Sequence, residues 1–222
     1  MHIKVNQTEL FYEQTGDGPP VILLHGNGED HTIFDVVIKR LSKDYTVYAI
    51  DSRGHGKSGR VAQLNYHDMM EDVAAFIGEL RIDKPILYGF SDGGIIGLLL
   101  AIKYPDMLSK LIISGANINP KGMKAVFRFL MKVNYFFTRS KKIKLMLTQP
   151  DIKEAELNKI VTPTFIVAGS NDLITEEHTR LIARNIPDSV LRILEREGHD
   201  SYVVHSEKLY GIIYPFLIET VD

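Results

Sequence analysis

Three side chains in this sequence have the types and the order needed for nucleophilic catalysis: Ser91, Asp172 and His199. A serine hydroxyl is a weak nucleophile until a neighbouring base accepts its proton, and histidine most often provides that base. An aspartate then holds the histidine in the correct tautomer and stabilises its protonated form. The predicted chemistry is attack of Ser91 on a carbonyl carbon, with His199 as general base and later general acid, and with Asp172 as its orienting partner.

Ser91 lies within Gly89-Phe90-Ser91-Asp92-Gly93, which follows an apolar run from Ile86 to Tyr88 and precedes an apolar helix pattern. The pattern G-x-S-x-G between a strand and a helix is typical of a nucleophile elbow, a sharp turn that exposes the serine hydroxyl. The two glycines lack Cβ atoms, so the strand and the helix can approach each other closely. A flexible glycine loop is the alternative, and the flanking pattern favours the elbow.

Asp172 and His199 each come shortly after a predicted strand, at Thr164–Ala168 and Ser189–Leu194 respectively. The carboxyl ends of parallel strands meet at one edge of a sheet, where catalytic residues gather. Taken singly, Asp172 could be a turn residue and His199 a surface histidine. Three correct residue types in the correct order favour the triad, and His205 is the weaker candidate for the base.

Stabilisation of a tetrahedral oxyanion requires two N–H donors aimed at the developing charge. The amide of Asp92 is the first predicted donor, because it opens a helix whose first N–H groups have no helical acceptors. The second predicted donor is the amide of Asn27, in the loop after the apolar run Val21–Leu24. His25 is predicted to anchor this loop through side-chain hydrogen bonds.

The other strands and helices must bring these residues together at one edge of the sheet. Strands are predicted as a hairpin within His2–Tyr12 and at Val21–Leu24, Thr46–Ile50, Ile86–Tyr88, Lys110–Ser114, Thr164–Ala168 and Ser189–Leu194. Helices are predicted at Ile33–Leu41, after an Asn65 cap, from the elbow to about Tyr104, and at Glu176–Asn185 and Ser206–Thr220. The alternation of strands and helices predicts an α/β fold, with a parallel sheet covered on both faces.

The residues from 117 to about 160 interrupt this rhythm and are interpreted as a short helical lid inserted in a single domain of residues 1–222. We call them the lid segment. Between Asn117 and Pro150 it has eight lysines and arginines and no acidic residue. An apolar stripe is predicted at Met123, Phe127, Leu130, Met131 and Phe137. Three interpretations stay open: a packed lid with solvated lysines, a wall for an acyl group, or a surface attracted to anionic lipid.

Composition excludes several classes of protein and several kinds of site. The 222 residues have a net charge of −2 and no cysteine, which argues against a nucleic-acid binder and excludes disulfides and thiolate metal sites. No histidine–carboxylate spacing predicts a metal, and no cofactor is expected. The start of the chain lacks a signal-peptide pattern, which predicts a cytoplasmic protein. The longest apolar run, Ile95–Ile102, predicts no stable membrane insertion. A monomer and a homodimer both stay open.

The motifs together resemble the α/β-hydrolase fold superfamily, in its small, lidded cytoplasmic branch of esterases, lactonases and carbon–carbon hydrolases. They are His25-Gly26, Asp51-Ser52-Arg53-Gly54-His55-Gly56-Lys57-Ser58, Gly89-Phe90-Ser91-Asp92-Gly93-Gly94, Asp172 and Gly198-His199. The elbow, with Ser114-Gly115-Ala116-Asn117, is similar to the valacyclovir-hydrolase (biphenyl-hydrolase-like) group. The resemblance to the superfamily implies an eight-stranded, mostly parallel sheet and hydrolysis through an acyl-enzyme.

The expected function is hydrolysis of a small carboxylic ester, thioester or lactone through a Ser-His-Asp triad. Cleavage of a carbon–carbon bond next to a carbonyl, acyl transfer, and non-catalytic binding of a small molecule on the same fold are the alternatives. The residues predicted to contact the substrate are Phe90, Asp92, Phe127 and Met131. Asp92 is additionally hypothesised to bind an amine of the substrate.

Overall fold

An eight-stranded sheet forms the centre of the computed structural model, which describes residues 1–219. The strands are β1 (His2–Val5), β2 (Thr8–Thr15), β3 (Pro20–Leu24), β4 (Thr46–Ile50), β5 (Ile86–Phe90), β6 (Lys110–Ser114), β7 (Thr164–Gly169) and β8 (Ser189–Leu194). Their order is β1-β2-β4-β3-β5-β6-β7-β8. The pairs β1–β2 and β2–β4 are antiparallel and the others are parallel, which confirms the predicted mostly parallel sheet.

Helices cover both faces of this sheet. They are α1 (Asp35–Leu41), α2 (Tyr66–Glu79), α3 (Asp92–Lys103), α4 (Ala125–Thr138), α5 (Lys141–Thr148), α6 (Glu154–Leu157), α7 (Glu176–Asn185) and α8 (Lys208–Ile218). Buried residues of α1 and α8 belong to one hydrophobic cluster, and those of α2, α3 and α7 to the other. The predicted end of the closing helix at Thr220 lies outside the described residues.

Two helix starts illustrate how local chemistry sets boundaries. Asn65 caps α2, since its side chain accepts a hydrogen bond from the amide of His67, as the sequence predicted. The helix predicted from Ile33 begins instead with a 3₁₀ turn at His31–Phe34, capped by Asp30, and becomes α-helical only at Asp35.

The central strands are buried on both faces, as continuous apolar runs require. Val21–Leu24 of β3 and all of β5 and β6 are buried. The loops that follow β3, β5, β7 and β8 carry the predicted site residues, and the parallel pairing places those loops at the same edge of the sheet.

The lid segment lies between β6 and β7 and contains α4, α5 and α6. The predicted apolar stripe is divided between two sides. Met123 is buried ahead of α4, and Phe127 and Met131 are half-buried, whereas Leu130 and Phe137 are 54% and 78% exposed. At 3.6 residues per turn, positions 130 and 137 are rotated by about 60–80° from position 127 and by about 100–120° from position 131, which places them at the solvent-exposed edge of the stripe. That the lid segment acts as a lid over the candidate site stays a prediction.

Candidate active site

The elbow places Ser91 at the junction of β5 and α3 with φ 52° and ψ −111°, a conformation that residues other than glycine rarely adopt. A Cβ on Gly89 would lie 2.2 Å from the carbonyl oxygen of Gly93, and a Cβ on Gly93 would lie 2.2 Å from that of Leu24. The glycines are therefore required for the close approach of strand and helix, as predicted. The backbone holds the Ser91 hydroxyl at the tip of the turn.

The three predicted triad residues form one hydrogen-bonded chain. His199 Nε2 lies 3.1 Å from Ser91 Oγ, and His199 Nδ1 lies 2.6 Å from Asp172 Oδ1. Asp172 Oδ1 also accepts a hydrogen bond of 2.9 Å from the amide of Ile174, which fixes the carboxylate in its loop. Asp172 is 1% exposed, so its charge acts on the imidazole with little screening by water. In the neutral histidine, Nδ1–H donates to Asp172 and Nε2 accepts the serine proton.

Two neighbours determine where the imidazole of His199 lies. The Phe90 ring packs against it, with ring centroids 5.0 Å apart. On another side is Gly115, whose φ is +62° and whose Cβ, if present, would lie 2.7 Å from His199 Cε1. The steric role of Gly115 was not predicted, although the residue belongs to the motif Ser114-Gly115-Ala116-Asn117, because only the fold brings it to His199.

The predicted oxyanion-hole amides, of Asn27 and Asp92, donate no hydrogen bond to another group within residues 1–219. The neighbouring amides do have partners: Gly26 N–H donates to Glu29 Oε2 at 2.9 Å, and Gly93 N–H donates to the carbonyl of His25 at 3.1 Å. Two amides near Ser91 are thus available to a ligand.

The prediction that His25 anchors this loop is confirmed. Its Nε2 accepts a hydrogen bond of 3.0 Å from the amide of Ser52. Nδ1 therefore carries the proton and donates to the carbonyl of Gly26 at 2.7 Å. Burial lowers the pKa of His25, which keeps the ring neutral and suited to this pair of bonds.

Asp92 connects the elbow to its surroundings. Its Oδ1 accepts a 2.7 Å hydrogen bond from the hydroxyl of Tyr66, and its Oδ2 accepts one of 2.8 Å from Asn27 Nδ2. Asn27 Nδ2 also lies 3.3 Å from the carbonyl of Lys142, in α5 of the lid segment. Burial raises the pKa of Asp92 to about 6, while these hydrogen bonds oppose the shift. The carboxyl side chain therefore links Asn27, a predicted oxyanion-hole residue, to the hydroxyl of Tyr66.

A narrow cavity of about 40 Å³ borders the triad, and an open cleft of about 180 Å³ adjoins it. Of the residues predicted to contact substrate, Asp92 lines the cavity, Phe90 lines the cleft and Phe127 lines both. Met131 lines neither of them, because it lies one turn further along α4. The sequence did not single out the other lining residues, which include Tyr66, Asn117, Met146, Leu173, Ile174 and Glu29.

Among these unpredicted residues, Leu173 and Ile174 directly follow Asp172, and Asn117 ends the motif that begins at Ser114. Glu29 is half-buried at the cleft, and burial raises the pKa of its carboxyl group. Met146 comes from α5, so its place at the cleft depends on how the lid segment packs.

Hydrogen bonds to the carboxylate of Asp51 stabilise the turn from Asp51 to Ser58. Asp51 Oδ2 accepts a hydrogen bond of 2.8 Å from the amide of Lys57, and Oδ1 accepts 2.8 Å and 2.7 Å bonds from the amide and Nδ1 of His31. Asp30, His31 and Asp51 have oxygen and nitrogen atoms within 4.8 Å of one another. Since these bonds occupy the cluster, we interpret it as a support for the β4 turn.

Comparison with known proteins identifies the family of the chain. The family model described as alpha/beta hydrolase fold matches residues 19–139, more than half of the chain. The chain belongs to the α/β hydrolase family. The matched residues include β3, the elbow and α4. Membership of this family makes the protein a hydrolase.

Individual relatives extend the match over the whole chain. Serine hydrolase BPHL of Homo sapiens is 29% identical over 249 residues, which cover 97% of this chain and 85% of that protein. This match confirms the predicted resemblance to the biphenyl-hydrolase-like group. The structure of Est816, described as an N-acyl homoserine lactone degrading enzyme, has a TM-score of 0.82 at 22% identity and covers 97% of this chain and 100% of its own.

A further structural neighbour, a mutant of the meta-cleavage product hydrolase CumD, also has a TM-score of 0.82. It is 20% identical and covers 99% of this chain and 98% of its own. At these identities, the two solved structures show that the fold is shared.

Proposed function

We propose that this α/β hydrolase is a serine esterase that cleaves a small carboxylic ester, thioester or lactone through Ser91, His199 and Asp172. The observation that carries the proposal is the unbroken hydrogen-bonded chain of 3.1 Å and 2.6 Å from Ser91 Oγ to Asp172. The named human serine hydrolase supports the same class of reaction.

The geometry suggests the course of the reaction. The Ser91 O–H proton passes to His199 Nε2 while Oγ forms a bond to the substrate carbonyl carbon. The carbonyl oxygen takes the negative charge and accepts hydrogen bonds from the amides of Asn27 and Asp92. As the tetrahedral intermediate collapses, the bond between the carbonyl carbon and the leaving oxygen or sulfur breaks, His199 protonates the departing alkoxide or thiolate, and the acyl group stays on Ser91. Water, deprotonated by His199, then attacks this acyl-enzyme; the bond between the carbonyl carbon and Ser91 Oγ breaks, His199 returns the proton to Oγ, and the acid leaves.

The size of the site favours a short acyl group. A buried water needs at least about 10–15 Å³, so the cavity of about 40 Å³ beside Ser91 has room for a group of only a few heavy atoms. Its walls combine the apolar side chains of Phe127, Met146 and Leu173 with the polar groups of Tyr66 and Asp92. The wider cleft is suited to the leaving group.

The test is hydrolysis of p-nitrophenyl acetate and butyrate, together with labelling by a fluorophosphonate. Ser91→Ala is expected to lose at least about a thousandfold in kcat and all labelling. Ser189→Ala, at the opposite end of β8 from His199, is the matched control and should keep both. Folded wild-type protein that neither turns over nor labels would contradict the proposal and favour a small-molecule binding protein.

A panel of esters, lactones and diketones, run with and without an alcohol or thiol acceptor, separates hydrolysis of esters from carbon–carbon cleavage and acyl transfer. Amino-acid esters belong in the same panel because Asp92 was hypothesised to bind an amine. If Asp92→Ala left the preference for amino-acid esters over simple esters unchanged, the amine hypothesis would be wrong.

A further inference from the structure

The outer face of α4 is the largest concentration of exposed apolar side chains in the described part of the chain. Six of the ten exposed large hydrophobic residues belong to this single helix, with exposed fractions from 41% to 78%. They are Val126, Phe129, Leu130, Val133, Phe136 and Phe137. Their spacing of three, four and seven residues places them on one continuous side of the helix. We call this set the outer face of α4.

The candidate active site does not account for this face. Phe127, which lies about 120° around α4 from the middle of this face, is half-buried and lines the cavity beside Ser91. No residue of the outer face lines the narrow cavity or the open cleft. Contiguous exposed apolar surface of this kind marks an interaction site in soluble proteins.

The stretch of sequence that contains the outer face carries only positive charges up to Pro150. All eight charged residues between Asn117 and Pro150 are lysine or arginine, in a chain whose net charge is only −2. None of the eight takes part in an ion pair within residues 1–219. Lys121, Lys124, Lys132 and Lys144 are exposed, and Arg139 lies 5.6 Å from the ring centre of Phe136.

We propose that the outer face of α4 binds the surface of an anionic lipid bilayer. The aromatic and aliphatic side chains would enter the boundary between headgroups and acyl chains, and the surrounding lysines would contact lipid phosphates. The helix would lie in the plane of the surface, since its 14 residues are too few to cross a bilayer. No helix in residues 1–219 is both long and apolar enough to span one.

Charge favours this occupant over a second copy of the chain. Two outer faces packed together would bring two uncompensated basic lid segments into contact, and like charges across an interface are repulsive. An anionic surface neutralises the same charges, so each lysine or arginine close to the surface favours binding.

The experiment is sedimentation of the intact protein with vesicles of phosphatidylcholine alone and vesicles containing about one third phosphatidylglycerol. The wild type should bind the anionic vesicles at least about tenfold more tightly, and binding should weaken between about 0.1 M and about 1 M salt. Phe129→Ser combined with Phe136→Ser, and separately Lys124→Glu combined with Lys132→Glu, should each weaken this binding at least about tenfold. The matched control combines Val190→Ser with Lys43→Glu, at two exposed positions outside the lid segment. This variant should bind as the wild type does.

Circular dichroism and thermal melting of every variant establish that the fold is retained. Equal binding to both vesicle types, or binding unaffected by the α4 substitutions, would overturn the proposal. Sedimentation velocity provides a further test: a dimer that Phe129→Ser and Phe136→Ser dissociate, without vesicle binding by the wild type, would make the outer face a contact between two copies. The measurement needs no catalysis, so its failure leaves the proposed hydrolase intact.

Discussion

Replacement of Asp92 by asparagine should change the pH dependence of stability by a calculable amount. Asp92 is 5% exposed and accepts hydrogen bonds from Tyr66 and Asn27, both neutral donors. Burial without a cationic partner in hydrogen-bond contact raises the pKa of Asp92 from 3.8 to about 6 in the folded protein. Asparagine has nearly the same shape and cannot ionise, so Asp92→Asn removes the titration.

The sign follows from proton binding. Between pH 3.8 and about 6 the folded state holds a proton on Asp92 that the unfolded state has lost. The contribution of protonated Asp92 to the free energy of unfolding is therefore complete below pH 3.8 and is lost as the pH rises through about 6. Linkage gives about 1.4 kcal/mol between pH 5 and pH 8, and about 2.4 kcal/mol between pH 4 and pH 8. The lost Asn27 hydrogen bond adds an offset of about 1–3 kcal/mol that does not vary with pH.

The assay is urea unfolding of wild type and Asp92→Asn at pH 5, 6, 7 and 8, followed by circular dichroism. The free energy of unfolding of the wild type minus that of the variant should fall by about 1.4 kcal/mol from pH 5 to pH 8. Asp83→Asn, which removes an exposed loop carboxylate, is the matched control. A difference that stays constant within about 0.5 kcal/mol would refute the raised pKa and the argument from burial.

Three further predictions concern catalysis. Asp172→Asn should lower kcat by about 10⁴-fold with p-nitrophenyl acetate, because the imidazole would lose its orienting carboxylate; kcat within tenfold of wild type would exclude Asp172 as the acid. Gly115→Ala should lower kcat at least about tenfold with little change in KM, since its Cβ would lie 2.7 Å from His199 Cε1; unchanged kcat in a folded variant would mean that the ring is not displaced. Phe127→Ala should raise KM for p-nitrophenyl butyrate several-fold with kcat nearly unchanged, and an unaltered KM would remove Phe127 from the acyl site.

Much of the candidate site could be predicted because its determinants are local. The elbow glycines, the serine between them and the apolar run before it occupy nine consecutive residues, Ile86 to Gly94. Asp172 and His199 could be placed because each follows a strand, and parallel strands bring their carboxyl ends together whatever their separation in sequence. The buried strands were recognisable from the same rule, since both of their faces need apolar side chains.

Other features could not be predicted because they depend on the side of an element that faces inward. The apolar residues of α4 occur all around the helix, so spacing alone grouped Leu130 and Phe137 with Phe127. Packing of the lid segment against the cleft separates them, with Phe127 half-buried and Phe137 78% exposed. The same packing leaves Met131 outside the cavity and brings Met146 into it.

The sequence by itself determined the elbow between β5 and α3 and the alternation of strands and helices, because each depends on the pattern within short stretches. It also fixed the order of the proposed triad residues, each of which follows its own strand. Only the tertiary structure decided the environment of these groups. Asp92 meets Tyr66 and Asn27 across 26 and 65 residues of chain, and Gly115 meets His199 at the edge of the sheet. Burial and hydrogen bonding between distant segments set the pKa of Asp92, and no local pattern carries that information.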